Sequence, residues 1–195
     1  MIRVLVVRGS PFKGGNSDRL ADEFLKGAEG VISLEGDFRA CDMNVGFCRS
    51  CRICEREGEC VLEDEGRKFY KSCSEVDVLV VATPLHFGGL PSRLVALVER
   101  AQVEWARNRR DENLLLSRKH RADGALRRGY IIVAGGEKRE AVGRPAIIIL
   151  RNWFATLGFT PTAILYAAGY NSHNEVAKDT QVLHKAFLLG KSLCG

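Results

Sequence analysis

No apolar run in this chain approaches the roughly twenty residues needed to cross a bilayer, and Ile2 to Val7, with Arg3 inside it, reads as a strand rather than a secretory leader. A cytoplasmic protein with no membrane partner is expected. Internal repeats, low-complexity segments and a second domain boundary are also missing. A length of 195 residues at 46% hydrophobic content suits one full core but not two, so residues 1–195 are expected to form one domain. No DNA-reading motif occurs, and no basic groove interleaved with aromatics, which excludes a nucleic-acid partner from expectation.

Two phosphate-loop signatures fail in an informative way. The stretch Gly9-Ser10-Pro11-Phe12-Lys13-Gly14-Gly15-Asn16-Ser17 joins the first strand to an amphipathic helix over Asp18 to Glu29. Gly9 and Gly14 have the spacing of a triphosphate loop, but Gly15 and Asn16 stand where its lysine and Mg²⁺-binding hydroxyl belong. Pro11 occupies the place of the second glycine in the dinucleotide fingerprint. What is left is a run of backbone N–H groups at a helix N-terminus, with the hydroxyls of Ser10 and Ser17 and the amide of Asn16. That set suits one terminal phosphate, as flavin mononucleotide (FMN) would offer. A ligand-free glycine-rich turn is the plain alternative.

A short β-rich segment, Val31 to Leu34, runs toward Phe38 as a second strand, and a helix is expected near Glu65 to Ser74. Val76 to Ala82 is β-branched almost throughout, the pattern of a strand buried on both faces of a parallel sheet. A helix over Leu90 to Val103, with Pro91 near its first turn, precedes a polar stretch from Trp105 to Gly129. Tyr130 to Ala134 is the fourth strand and ends in Gly135-Gly136. A helix through Ile147, Leu150, Phe154 and Leu157 closes on Gly158, and a fifth strand over Ala163 to Ala167 leads to a last helix over Glu175 to Leu193. Alternation of this kind predicts an α/β, doubly wound, mostly parallel five-stranded sheet with its ligand beyond the carboxyl ends of the strands. The loops Gly9 to Ser17, Thr83 to Gly89 and Gly135-Gly136 should meet there.

Seven cysteines in a reducing compartment point to metal or redox work, not disulfides. Five of them fall between Cys41 and Asp64, a segment without helical or strand period that reads as an insertion after the second strand. Within it, Cys48-x₂-Cys51-x₂-Cys54-x₅-Cys60 places four thiols in thirteen residues. A tight coil of that spacing can ligate a [4Fe–4S] cluster; tetrahedral zinc, which favours two separated pairs, and metal-free thiols are the alternatives. Arg49, Arg52 and Arg56 interleave with these cysteines, where they either raise the potential of an anionic cluster or point to water. Cys41, Cys73 and Cys194 fall outside the spacing and read as inert thiols, with Cys41 the substitute ligand if one is needed.

Taken together, the loop GSPFKGGNS, the segment TPLHFGGLPSRLVALVER, the VAGG turn and the compact cysteine insertion resemble the iron–sulfur flavoprotein family, within the NAD(P)H-dependent FMN reductases of flavodoxin-like fold. The resemblance implies bound FMN, a [4Fe–4S] cluster near the flavin of the same or a neighbouring subunit, and a homodimer or homotetramer. By that resemblance Ser10, Lys13, Asn16 and Ser17 match the phosphate loop. Pro84, Leu85, His86, Phe87 and Gly88 match the segment against the isoalloxazine ring, Gly135 and Gly136 the third loop, and Cys48, Cys51, Cys54 and Cys60 the cluster ligands. The implied activity is a flavin-dependent oxidoreductase moving electrons from ferredoxin or NAD(P)H to a small-molecule acceptor. A cluster-free NAD(P)H-dependent flavin or quinone reductase, and a non-enzymatic flavin- or zinc-binding module, are the other readings. No catalytic side chain is assigned; His86 reads either as a donor or proton relay to the flavin or as a polar turn residue.

The formal charge of +5 is concentrated. Between Arg107 and Arg128, eight basic residues (Arg107, Arg109, Arg110, Arg118, Lys119, Arg121, Arg127, Arg128) stand against Asp111, Glu112 and Asp123. This stretch reads as a solvated loop, a docking patch for an acidic donor such as ferredoxin, or a contact for the 2′-phosphate of NADPH.

Overall fold

A computed structural model describes residues 1–194. The chain runs β1 (Ile2–Arg8), α1 (Asn16–Gly27), β2 (Ile32–Arg39), α2 (Ile53–Glu57), α3 (Glu65–Glu75), β3 (Val78–Pro84), α4 (Ser92–Glu99), α5 (Gln102–Arg110), α6 (Glu112–Arg118), β4 (Arg128–Gly135), α7 (Arg144–Leu157), β5 (Thr160–Ala168) and α8 (Thr180–Lys191). All five strands are parallel, in the order β2-β1-β3-β4-β5. This is the flavodoxin-like arrangement, and strand order reverses direction between β1 and β3, where such sheets open a crevice.

Strand alternation divides the apolar residues between two cores. Leu5, Val7, Leu79, Val81, Ile131 and Val133 face α3, α4 and α7 through Phe69, Leu94, Leu150, Trp153 and Phe154. Val4, Val6, Val78, Val80, Tyr130 and Ile132 face α1 and α8 through Leu20, Phe24, Val182 and Ala186. Residues 78–82 are fully buried, as expected of a strand covered on both faces. Among the described residues no helix is long and apolar enough to cross a membrane.

The polar stretch after Val103 departs from the expectation of a solvated loop. The helix expected over Leu90 to Val103 breaks after Glu99, and the chain continues as α5 and α6. The reason is internal pairing. Glu104 is buried and accepts from Arg107 at 2.8 Å and Arg118 at 2.5 Å. Arg127 is also buried, lies 3.9 Å over the Phe159 ring, and donates to the carbonyls of Cys73, Val76, Arg118 and Leu157. Arg110 reaches the carbonyl of Glu55. Much of the local positive charge is therefore spent on holding the chain together.

Candidate functional site

The site is built from main chain before side chains. At Gly9 a Cβ would stand 2.5 Å from Thr83 Oγ1 and 2.9 Å from Leu94 Cδ2, so only glycine lets the end of β1 approach β3 this closely. Ser10 Oγ donates to the Phe12 carbonyl at 3.0 Å and accepts from the Phe12 N–H at 3.1 Å, closing a local turn. Gly14 has φ +71°, and Gly15 caps α1 without a side-chain hydrogen bond. The first-turn N–H groups of α1 thus have no intrahelical partner. Beside them Ser17 is 1% exposed, and its Oγ has no hydrogen-bond partner among the described residues.

A buried ion pair lies behind this loop. Asp18, also 1% exposed, accepts from the Gly14 N–H at 2.9 Å and from Arg39 at 2.6 Å. Arg39 donates in turn to the Ser10 carbonyl at 2.8 Å. Arg8 lies next to the pair, bonded to Asp22 and Asp37 at 2.8 Å each. These charges sit under the loop; none of them lines the cavity it opens onto.

That cavity, about 310 Å³, brings together Ser10, Asn16, Ser17, Pro84, Leu85, His86, Gly135 and Gly136. The Leu85 N–H donates to Ala134 at 2.9 Å, which fixes the second loop against the third. A Cβ at Gly135 would come within 2.9 Å of Leu85 Cδ1, and one at Gly136 would collide with the Asn171 amide. No carboxylate lines the cavity, whereas orphan N–H donors and a free buried hydroxyl do, so the arrangement favours an anion at the α1 end and a flat apolar surface at the other. FMN, one phosphate joined to a planar ring, has that shape and charge.

Three expected residues fall elsewhere. Lys13 is exposed, 3.3 Å from Asp42, and does not line the cavity. Phe87, at φ +52°, and Gly88, at φ +77°, form a left-handed turn closed by reciprocal main-chain bonds between His86 and Gly89. Phe87 is fully exposed and lines an open trough with Val45, Phe47 and Val95, which meets the strand-end cavity at His86. The side chain of Asn16 lines the cavity but is already engaged, donating to the Ser172 carbonyl at 2.9 Å and accepting from the Val176 N–H at 3.0 Å.

A fourth wall escaped the sequence reading. Residues 170–173, after β5, complete the cavity, and His173 packs edge-on to Phe12 at 5.8 Å. Tyr170 donates to Asp179 at 2.7 Å; burial and that bond push its phenol up to about 12, keeping it neutral. The available signal was topological: this loop also leaves the carboxyl end of a strand.

The thiols gather in a second cavity, about 360 Å³, lined by Cys48, Cys51, Cys54 and Cys60 together with Arg49, Arg52 and Arg100. Ser50 at φ +50° and Arg52 at φ +59° place non-glycine residues in the left-handed region, which is how the chain coils tightly enough to present several thiols inward. Arg52 is largely spent on Glu55, at 3.1 Å on the surface. Cys54 is buried against Val103 and Ala106 of α5. Burial pushes its thiol up, and the neighbouring Cys60, Cys48 and Cys51 add to the effect. Among the described residues no three Cys, His, Asp or Glu side chains are drawn together as a chelating set.

Arg100 forms the inner wall. It is 3% exposed and donates to Asp64 at 2.5 Å and to the Gly46 carbonyl at 3.0 Å, while its Nε has no partner. Burial would raise Asp64, but Arg100 and the N–H groups of Gly46 and Gly66 outweigh it and hold the carboxyl below its ordinary range. Four thiols facing one chamber with a buried cation in its wall fit a thiolate-ligated, anionic centre in donor type and charge. Cys41 does not belong to this group; its Sγ lies 3.8 Å from the Ser10 carbonyl, against the loop after β1. Cys73 is buried in the core. The thiol chamber and the strand-end cavity share no lining residue.

The NADPH-dependent FMN reductase family matches residues 2–171 of this chain. An iron-sulfur flavoprotein of Methanosarcina thermophila is 25% identical over 204 residues, covering 99% of this chain and 94% of the relative. Another from Methanocaldococcus jannaschii is 30% identical over 102 residues; there the chain spans about half, 52%, of the relative's length. Among solved structures, an NAD(P)H:quinone oxidoreductase from Methanothermobacter marburgensis superposes with a TM-score of 0.70 at 14% identity, covering 98% of this chain and 96% of the other. An FMN-dependent NADH-azoreductase from Bacillus anthracis, solved with FMN, gives 0.55 at 20% identity, covering 99% and 97%. These two structures share the fold. The chain belongs to the NADPH-dependent FMN reductase family, whose members are flavin-dependent oxidoreductases, and FMN is the cofactor that membership supports.

Proposed function

From that membership we propose that the protein is an FMN-dependent oxidoreductase of the iron–sulfur flavoprotein type, carrying electrons from NAD(P)H or a ferredoxin-like donor to a small-molecule acceptor. When bound, FMN would supply two-electron and one-electron chemistry and a [4Fe–4S] cluster single-electron transfer. The single observation that carries the flavin assignment is the buried, partnerless Ser17 hydroxyl among free first-turn N–H groups of α1.

In this reading Ser17 and the main chain of residues 15–18 hold the phosphate, and Ser10, whose hydroxyl donates to the Phe12 carbonyl, shapes the loop beside it. Pro84, Leu85 and His86 lie along one side of the ring and Gly135 and Gly136 along another, where side chains would obstruct it. Asn16 acts indirectly, by fixing residues 172–176 so that the fourth wall stands in place. Cys48, Cys51, Cys54 and Cys60 would hold the cluster, and the names of the archaeal relatives favour it over zinc. The exposed Phe87 and Phe47 of the open trough are suited to cover by a second subunit of a homodimer or homotetramer.

The test is composition. Protein purified and cofactor-replenished without oxygen should hold one FMN per chain, with iron and acid-labile sulfide at about four each. Protein that retains no FMN contradicts the flavin assignment. FMN with neither iron nor sulfide would instead leave a cluster-free NAD(P)H-dependent reductase.

A further inference from the structure

We propose that Arg39 is a positioning residue that lets the site select flavin bearing a phosphate, because it cancels the charge of Asp18 buried behind the phosphate loop; this rests on placing FMN in the strand-end cavity. Asp18 and a bound phosphate would compete for the same helix end. Both are anions drawn to the first turn of α1, and the phosphate's hydroxyl donor, Ser17, is the residue next to Asp18. Unscreened, a buried carboxylate at that place would repel a dianion across a medium far less polar than water.

The geometry shows how the repulsion is met. Arg39 Nη2 lies 2.6 Å and Nη1 3.3 Å from the two oxygens of Asp18, so the pair is a fork on a carboxylate. Nη1 also donates to the Ser10 carbonyl at 2.8 Å, while Asp18 holds the Gly14 N–H at 2.9 Å. One guanidinium therefore ties down both sides of the loop and offsets the charge of the Asp18 carboxylate beneath it. The Ala40 N–H bonds the Arg8 carbonyl at 2.9 Å, which anchors Arg39 at the end of β2 rather than on a free loop.

Among the described residues the one other cation within reach of Asp18 is already engaged. Arg8 is 4.0 Å from Asp18 but bonds Asp22 and Asp37 at 2.8 Å. The remaining charge near Arg39 is Asp42, 3.9 Å away and itself 3.3 Å from Lys13. A lysine at position 39 would restore charge without the fork.

The experiment compares FMN with riboflavin, which lacks the phosphate, by fluorescence titration of the deflavinated full chain. Arg39→Gln should weaken FMN on the order of tenfold to a hundredfold and riboflavin by less than about twofold. The double variant Asp18→Asn/Arg39→Gln should recover most of the lost FMN affinity, because no unpaired charge remains; Arg39→Lys should recover part. Asp18→Asn alone should bind FMN at least as tightly as the unaltered chain, which keeps the test decisive if Arg39→Gln does not fold. Equal losses for FMN and riboflavin, a double variant no better than Arg39→Gln, or weaker FMN binding by Asp18→Asn would each overturn the inference. Failure of the unaltered chain to bind FMN would overturn the placement of the flavin instead.

Discussion

In the strand-end cavity the groups aimed at a ligand are mostly main-chain N–H donors and glycine surfaces held by the sheet; in the thiol chamber they are side chains on a segment whose only regular element is the five-residue α2. The first is fixed once β1, β3 and β4 pair, since the loops that form it are bonded to one another through Gly9, Leu85 and Gly135. The second depends on what brings four mutually repelling thiolates together, which for a metal centre couples binding to local folding. A phosphate site can therefore be complete before its ligand arrives, whereas a thiolate site is completed by it.

If the two regions are independent, removing one cofactor should spare the other. The largest expected effect is on Cys51→Ser/Cys54→Ser, which should lose iron and sulfide entirely while FMN stoichiometry stays at one per chain. Parallel loss of flavin would show that the thiol segment supports the flavin pole after all.

Next in size is Arg100→Leu, which leaves the partly buried Asp64 carboxylate without its partner and should destabilise the chain by about 2 kcal/mol in urea titration. Asp64 is depressed in the folded state, so its contribution is full above the unfolded carboxylate pKa and fades as pH falls below about 4. The urea midpoint of the unaltered chain should fall over that window, and Arg100→Leu should flatten part of the fall. An unchanged pH profile would mean that the pair does not steady the chamber.

Gly9→Ala sharpens the comparison from the other side. Its Cβ meets Thr83 and Leu94, at a cost of about 1–3 kcal/mol, and should weaken FMN without altering iron content. Smallest is Lys13→Ala: an exposed pair with Asp42 predicts a change in FMN affinity below about twofold by fluorescence titration. A large loss there would return Lys13 to the phosphate site.

Local chemistry was the legible part. The spacing of Gly9, Gly14 and Gly15 and the β-branched run before Thr83 speak through nearest neighbours, so the phosphate loop, the five strands and their shared end could be read directly. What escaped depends on residues far apart in the chain. Arg39 and Asp18 meet across twenty-one positions, and Asn16 meets Val176 across 160. Helices α5 and α6 carry no clear apolar stripe because Glu104, Arg118 and Arg127 hold them by ion pairs and carbonyl bonds. Lys13 was placed at the phosphate by its type and position in the loop, yet it pairs with Asp42, beyond the end of β2.

The most direct measurement is a crystal structure of the protein with FMN. The phosphate is expected within hydrogen-bond distance of Ser17 Oγ and the first N–H groups of α1, with the ring between residues 84–86 and 135–136. Flavin bound instead in the open trough beside Phe47 and Phe87, with Ser17 Oγ still unpartnered, would contradict it.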